Sequence, residues 1–168
     1  MRIYMAGAMF TEADKQYNLR LAERLRSHGF EVYCPNESEP INDKTRTDVT
    51  GKMIYDFDIL ELEASNVVLF QVSEDSGSNW EAGYMDALSK YVDPQRWYGV
   101  MGMATDIRLQ SIPNPSKSGV DNQAGYLNQL VVGGLQKSLG IYRTADAAIA
   151  RLIEIRTAHE ADPRPARN

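Results

Sequence analysis

Two acidic side chains, Asp75 and Glu81, lie on either side of a short polar turn. The turn follows the apolar run 67–70 and leads into a segment whose apolar residues have helical spacing. A carboxylate in the first turn of a helix is kept ionised by the helix dipole and by unpaired backbone amides, which suits a nucleophile. A second carboxylate on the other arm of the turn could hold or donate a proton. These residue types are the ones that glycosyl transfer with retention of configuration requires.

The same residues also have a purely structural interpretation. Ser78 and Glu81 form an S-x-x-E pattern, in which the serine caps the helix and the glutamate returns a hydrogen bond to the cap. Asp75 is of a type that is common in turns. An acid on the outer face of a helix, such as Asp58, is usually solvated, and Asn128 has the character of a surface amide. The pattern alone leaves the catalytic and the structural interpretation open.

Histidine and cysteine are too scarce for several other kinds of catalytic centre. The chain contains two histidines, His28 and His159, and one cysteine, Cys34. These numbers argue against a Ser-His-Asp or Cys-His nucleophile and against a multi-histidine or cysteine-based metal site. A single cysteine allows no internal disulfide, so we expect a buried thiol and a reducing, cytoplasmic environment. We therefore expect any catalysis to depend on carboxylates.

Length and composition predict a single globular domain over residues 1–160, followed by a flexible polar tail at 161–168. The 168 residues are 43% hydrophobic, which is enough for one sizeable core. The net charge of -5 argues against nucleic acid or a membrane surface as a partner. No apolar segment approaches the ~20 residues of a membrane span. The amino terminus enters an apparent strand at once, so we expect no signal peptide.

Apolar runs alternate with helically periodic segments along the chain. The runs predict five strands, at 2–6, 30–34, 66–72, 97–101 and 141–142. The periodic segments predict helices at 12–27, 49–63, 79–90 and 126–138, and a last helix from Thr144 or Asp146. The predicted inner face of the second helix consists of Met53, Ile54, Phe57 and Leu60, and that of the third consists of Trp80, Gly83, Tyr84, Ala87, Leu88 and Tyr91.

This alternation predicts a three-layer α/β/α sandwich with a mostly parallel five-stranded sheet. If the strand order is flavodoxin-like, the first and third strands are neighbours. The turns 7–11 and 73–78 would then face one another across a crevice at the carboxyl edge of the sheet, where ligands usually bind. Met9, Phe10 and Trp80 could supply apolar walls for a flat base.

Several segments of the chain resemble nucleoside 2-deoxyribosyltransferases. They are Tyr4-Met5-Ala6-Gly7-Ala8-Met9-Phe10-Thr11, Asp58 ahead of Asn66, Asp75-x-Gly77-Ser78-x-x-Glu81-x-Gly83-Tyr84, Thr105-Asp106-Ile107-Arg108 and Leu127-Asn128-Gln129-Leu130. The resemblance extends from about Tyr4 to Leu152. Its most specific part is the D-x-G-[ST]-x-x-E-x-G-[YF] segment after a buried strand.

This resemblance implies a flavodoxin-like fold and a ping-pong exchange of nucleobases on 2-deoxyribose, as in nucleoside salvage. The implied substrates are 2′-deoxynucleosides and free nucleobases, with neither a metal nor an organic cofactor. Glu81 matches the nucleophile that forms a covalent deoxyribosyl-enzyme intermediate, and Asp75 and Asp58 match acids that bind the base and assist its protonation. The positions that match substrate-binding residues are Tyr4, Gly7, Met9, Phe10, Gly77, Ser78 and Asn128. Asn128 matches an amide that a neighbouring subunit contributes, so the resemblance also implies a homo-oligomer, either a dimer or a hexamer.

Two other functions remain open from the sequence. A related N-glycosidase would hydrolyse nucleoside or deoxynucleoside 5′-monophosphates, and hydrolysis could also accompany transfer as a side activity. Such an enzyme needs a phosphate site, whereas the first turn, 8–12, is apolar and then acidic, which favours free nucleosides. A non-catalytic nucleotide-binding module is the other alternative, because a fold alone does not determine function.

Overall fold

Five parallel strands form one sheet in the order β2-β1-β3-β4-β5. The computed structural model describes residues 1–38, 42–43, 45–118, 121–125 and 127–161. The strands are β1 (Arg2–Ala6), β2 (Glu31–Tyr33), β3 (Val67–Gln71), β4 (Gly99–Met103) and β5 (Ile141–Tyr142). This is the predicted flavodoxin-like order with β1 beside β3, and each of the four pairings is parallel, where the sequence predicted a mostly parallel sheet.

Five α-helices of the described chain connect and cover these strands. They are α1 (Glu12–Ser27), α2 (Gly51–Ala64), α3 (Ser76–Ala87), α4 (Gln129–Lys137) and α5 (Ala145–Ala161). A π-helical turn, Leu88–Val92, continues α3. Residues 162–168 of the predicted flexible tail lie outside the described residues, as does residue 126, where the fourth helix was predicted to begin. Within the described ranges, no helix has the length and apolar character needed to cross a membrane.

Alternation along the strands divides the core into two layers. On β1, Ile3 and Met5 pack with α1 and α5 on one face of the sheet. Tyr4 and Ala6 point to the opposite face, which α2, α3 and α4 cover. Because neighbouring residues of a strand alternate in this way, the position of Tyr4 in β1 directs its hydroxyl toward α3.

The buried face of α3 differs from the predicted apolar stripe. Ser78, Met85 and Leu88 are the buried residues of this helix and its continuation. By contrast, Trp80 is 67% exposed and Tyr91 is 84% exposed. The predicted stripe is therefore wrong in part: Leu88 is buried and Tyr84 packs against the second core layer, but the face that packs on the sheet begins with the polar Ser78 instead of Trp80.

The predicted inner face of the second helix is wrong in part. Met53 and Leu60 are exposed, and Leu62 is buried instead. Phe57 is partly buried against the second core layer. The helix therefore lies rotated from the face that its apolar spacing favoured, which leaves Asp58 only partly exposed.

Candidate active site

Tyr4 and Glu81 meet on the face of the sheet that α3 covers. The Tyr4 hydroxyl donates a hydrogen bond to Glu81 Oε1 at 2.7 Å. Tyr4 is completely buried, and its ring packs against Tyr33 with 4.9 Å between the ring centroids. Tyr33 is the register partner of Tyr4 on β2. Strands β1 and β2 therefore hold this hydroxyl in a defined orientation toward the carboxylate.

Asp75, and not Ser78, caps α3. The Asp75 Oδ2 atom accepts hydrogen bonds from the Ser78 backbone N–H at 2.8 Å and from the Ser78 hydroxyl at 2.6 Å. The predicted capping box of Ser78 and Glu81 is therefore wrong, because Asp75, three residues before Ser78, supplies the acceptor at the helix end. Glu81 lies beyond the cap, and its side chain bonds to Tyr4 instead.

The surroundings of Glu81 raise the pKa of its carboxyl into the neutral range, where both protonation states are populated. Burial raises the pKa of Glu81 to about 7, the Tyr4 hydrogen bond opposes this shift, and the charges of Asp58 and Asp75 add to it. Burial, with the charges of Glu81 and Asp58, also raises the pKa of Tyr4 far above its usual range. Tyr4 is therefore a neutral hydrogen-bond donor at any physiological pH. A pKa near 7 means that about half of the Glu81 carboxyls are ionised at neutral pH.

Asp58 belongs to the same electrostatic neighbourhood although it comes from another element. Its position on α2 is partly buried, and its charge acts on Tyr4, Tyr33 and Glu81. The fold thus brings together the three acids that the sequence singled out, Asp58, Asp75 and Glu81. Among the described residues, no group of three or more His, Cys, Asp or Glu side chains is arranged to hold a metal ion.

The other predicted contact residues of this edge lie in the turns after β1 and β3. Gly7 must lack a side chain, because a Cβ there would lie 2.9 Å from Gln71 Cβ. Met9 is partly buried, whereas Phe10 is 65% exposed. Gly77 is exposed at the start of α3.

Ser78 is buried, and its hydroxyl donates to Asp75. This contact makes Ser78 part of the support for the turn.

Asn128 lies away from Glu81 within the chain. Its side chain caps α4 by accepting from the Leu130 N–H at 2.9 Å, and it is exposed. It lines a cavity of about 420 Å³ that the residues Val72, Ser73, Glu74, Asn79, Leu127, Leu130 and Val131 also line. Asn79 and Glu81 are two positions apart on α3 and so point about 200° apart around its axis. Asn128 therefore faces the side of α3 opposite to the side that carries Glu81.

Sequence reasoning missed Tyr33 as a residue of this site. Tyr33 occupies the carboxyl end of the strand next to β1, in register with Tyr4. Its ring supports Tyr4 and also packs near Phe57, at 6.4 Å between centroids. The register of two distant strands is a property of the fold, so the sequence pattern did not single this residue out.

The sequence model of the nucleoside 2-deoxyribosyltransferase family matches residues 3–122, whereas no functionally curated protein matches the chain significantly. A conserved protein from Enterococcus faecalis V583, of known structure, is 28% identical, with a TM-score of 0.73 over 92% of this chain and 98% of that chain.

Two further solved structures share the fold at lower identity. A 2-deoxyribosyltransferase from the psychrotolerant bacterium Bacillus psychrosaccharolyticus is 15% identical, with a TM-score of 0.59 over 89% of this chain and 90% of that chain. A CMP N-glycosidase from Clostridium botulinum is also 15% identical, with a TM-score of 0.51 over 92% of this chain and 99% of that chain. The family match includes Tyr4, Asp58, Asp75 and Glu81. The chain belongs to the nucleoside 2-deoxyribosyltransferase family.

Proposed function

We propose that this protein transfers 2-deoxyribose between nucleobases through a covalent intermediate on Glu81. The observation that carries the proposal is the hydrogen bond from Tyr4 to Glu81 Oε1, because it aims a carboxylate that has no role at the helix cap. With Oε1 held by Tyr4, Oε2 is the oxygen that attacks. Family membership supports nucleosides and nucleobases as the substrate class.

The proposed reaction consists of two displacements at the anomeric carbon. The Glu81 carboxylate forms a bond to C1′ while the C1′–N bond breaks, and the departing base takes up its electrons and a proton. A second base then forms a new C1′–N bond and gives up its N–H proton to an acid of the site, and the C1′–O bond breaks to return the carboxylate. Two inversions give overall retention of configuration. Asp58 and Asp75, whose charges reach Glu81, are the acids proposed to bind the base and to handle its proton.

The start of α1 supports free nucleosides over 5′-monophosphates as substrates. Thr11 caps this helix, and both its backbone N–H and its hydroxyl donate to Asp14 Oδ2, at 3.2 and 2.6 Å. The Asp14 N–H in turn donates to the Thr11 hydroxyl at 3.1 Å. A phosphate near this end would meet two acids, Glu12 and Asp14, and a donor that is already used. Nucleoside salvage in a reducing cytoplasm is the setting that we propose for this reaction.

One assay separates transfer from the alternatives. The protein is incubated with 2′-deoxynucleosides together with a different free base, and separately with deoxynucleoside 5′-monophosphates, and the products are separated by chromatography. We expect base exchange with free nucleosides. Release of base from monophosphates without exchange would support an N-glycosidase instead. No turnover of either substrate class, by protein shown to be folded, would support a non-catalytic binding module.

We further propose that the active site is completed by a second copy of the chain. Asn128 shares a cavity with Asn79 on the side of α3 away from Glu81, which supports a contact with a sugar bound at the site of a neighbouring subunit. An apolar cavity of about 360 Å³ lies between α3 and α4, with Ala82, Val131 and Leu135 among its lining residues. Beside it, Trp80 and Leu130 expose large apolar side chains. Such a surface is typical of a protein–protein interface.

A further inference from the structure

Three amide side chains form a connected network beneath the turn that follows β1. Asn18, on α1, is 5% exposed and uses both hydrogens of its amide: one donates to the Ala8 carbonyl at 3.1 Å, the other to Asn36 Oδ1 at 2.8 Å. Its own oxygen accepts from Gln71 Nε2 at 2.5 Å. Asn36 in turn donates to the Met9 carbonyl at 3.2 Å. We call Asn18, Asn36 and Gln71 the amide network.

The amide network joins four parts of the fold at one point. Gln71 ends β3, Asn18 lies on α1, and Asn36 lies in the 3₁₀ turn Pro35–Glu37 after β2. The two carbonyls that they hold belong to the turn after β1. The backbone of that turn is therefore tied to the sheet by side chains, since two of its carbonyls accept side-chain amides.

The absence of a side chain at Gly7 makes room for the amide network next to the turn. A Cβ at this position would lie 2.9 Å from Gln71 Cβ and 3.2 Å from Gln71 Nε2. The missing side chain lets Gln71 cross under the turn to reach Asn18. A buried amide with all these bonds is costly to disturb, because any lost partner leaves a polar group unsatisfied.

We propose that Asn18 is a positioning residue that, through the amide network, sets the turn carrying Met9 and Phe10 for nucleobase binding. This inference rests on the proposed function and on the sequence-based expectation that these two residues supply apolar walls for the base. Asn18 itself has no contact with Glu81 among its described hydrogen bonds, and Glu81 is held by Tyr4 from a different element. The network should therefore act on substrate binding more than on the chemical step.

The test combines steady-state kinetics with hydrogen exchange of the turn. In Asn18→Ala we expect the KM for the nucleoside to rise about tenfold while kcat changes less than about twofold, since a lost positioning contact weakens binding and leaves the nucleophile in place. Backbone amides of residues 7–11 should exchange faster than in the wild type. Gln16→Ala is the matched control, because Gln16 is an exposed amide on the same helix whose side chain bonds to Glu12.

A second variant guards against a folding defect. Asn36→Ala removes the bond to the Met9 carbonyl from a partly buried position outside the α-helices, and we expect the same pattern in weaker form. An unchanged KM, or a raised KM without faster exchange in 7–11, contradicts the inference. A wild type that turns over no nucleoside contradicts the proposed function instead. The exchange rates then decide by themselves whether Asn18 positions the turn.

Discussion

The local structure of Glu81 favours its neutral form by burial and its charged form by the hydrogen bond from Tyr4. Its environment is apolar enough to raise its pKa to about 7, yet a nucleophile has to be ionised. The hydrogen bond from Tyr4 favours the charged form and limits the shift. Such a carboxyl costs the protein stability when it is charged, which is common for groups that act in catalysis.

Replacing Glu81 by Gln should abolish transfer and stabilise the protein at alkaline pH. Because the pKa in the folded protein lies above the usual value of 4.5, folding favours the protonated form. The stability that this provides is fully present below pH 4.5 and is lost as the pH rises through 7, by up to about 3 kcal/mol. Glu81→Gln keeps an acceptor for Tyr4 and cannot ionise. Its free energy of unfolding should therefore exceed that of the wild type at pH 8 and approach it near pH 4, while kcat falls at least about a thousandfold.

Urea denaturation at the two pH values measures this difference. Glu23→Gln, an exposed change on α1, is the control and should leave both the stability difference and the activity unchanged. A Glu81→Gln protein that is less stable than the wild type at pH 8, yet active, would mean that Glu81 serves mainly to hold the structure.

Removing the Tyr4 hydroxyl should move the acid limb of the pH–rate profile to higher pH. In Tyr4→Phe the ionised form of Glu81 loses its donor, so the pKa of Glu81 should rise above 7. Loss of a hydrogen bond to a charged group corresponds to a shift of about one pH unit. The acid limb of the pH profile of kcat/KM should therefore move to higher pH by about one unit. The loss of activity should be greater at pH 6 than at pH 9.

A control variant and a variant with the opposite expected shift test this prediction. Tyr33→Phe removes a neighbouring hydroxyl that accepts from Ser38, and the position of the limb should not change. Asp58→Asn removes a negative charge that raises the pKa of Glu81, so its limb should move to lower pH. If Tyr4→Phe and Asp58→Asn shift the limb in the same direction, Glu81 is not the group that titrates in the profile.

At the scale of elements, the start of α3 separates Asp75, which caps the helix besides its proposed role toward the base, from Glu81, which takes no part in the cap. Asp75 holds the helix end and Ser78, while Glu81 lies one turn further along. The buried face of α3 and its continuation runs through positions 78, 85 and 88, with Glu81 at helical spacing between the first two. This buried face starts with polar residues, and the spacing of apolar residues alone does not identify it. The apolar spacing therefore predicts a stripe through Trp80 instead.

Asp75→Ala should cost about 1 kcal/mol of stability, as losses of helix caps usually do. It should also lower kcat/KM more than its effect on stability explains, because the turn that it holds precedes Glu81. Thr50→Ala is the matched control, since Thr50 caps α2 through the Met53 N–H. Unfolding and kinetics are measured for both variants. Equal losses of activity at equal losses of stability would show that the cap of α3 has no special connection to the site.

At the scale of the whole molecule, one chain holds the nucleophile and Asn128 on opposite sides of the same helix. If sites are shared between subunits, co-expressed Glu81→Gln and Asn128→Ala chains should regain activity that each lacks alone. In a twofold dimer with random pairing, half of the dimers are mixed and each has one intact site, so roughly a quarter of wild-type activity should return.

Size-exclusion chromatography of the same samples reports whether the chains associate. Each variant expressed alone is the control and should stay inactive. A monomeric protein with full activity, or a mixed sample without recovery, would place every substrate contact within one chain.

The sequence by itself determined the architecture and the candidate acids. The nearly continuous apolar residues of β1 and β3 indicate strands inside a sheet that is covered on both faces, and the alternation with helices predicted the three layers. The family resemblance implied the flavodoxin-like strand order. The pairing of β1 with β3 then follows, and with it the meeting of their two turns. Asp75 and Glu81 were identified by residue type and spacing, which are local properties.

The tertiary structure decided what those acids do. A capping box and a bond to Tyr4 are both possible for the Glu81 side chain, and one partner is three residues away while the other is 77 residues away. Which partner wins depends on the rotation of α3 against the sheet and on the earlier acceptor at Asp75, and neither is encoded in local spacing. Burial, and with it a pKa near 7, likewise arises only when strands and helices pack together.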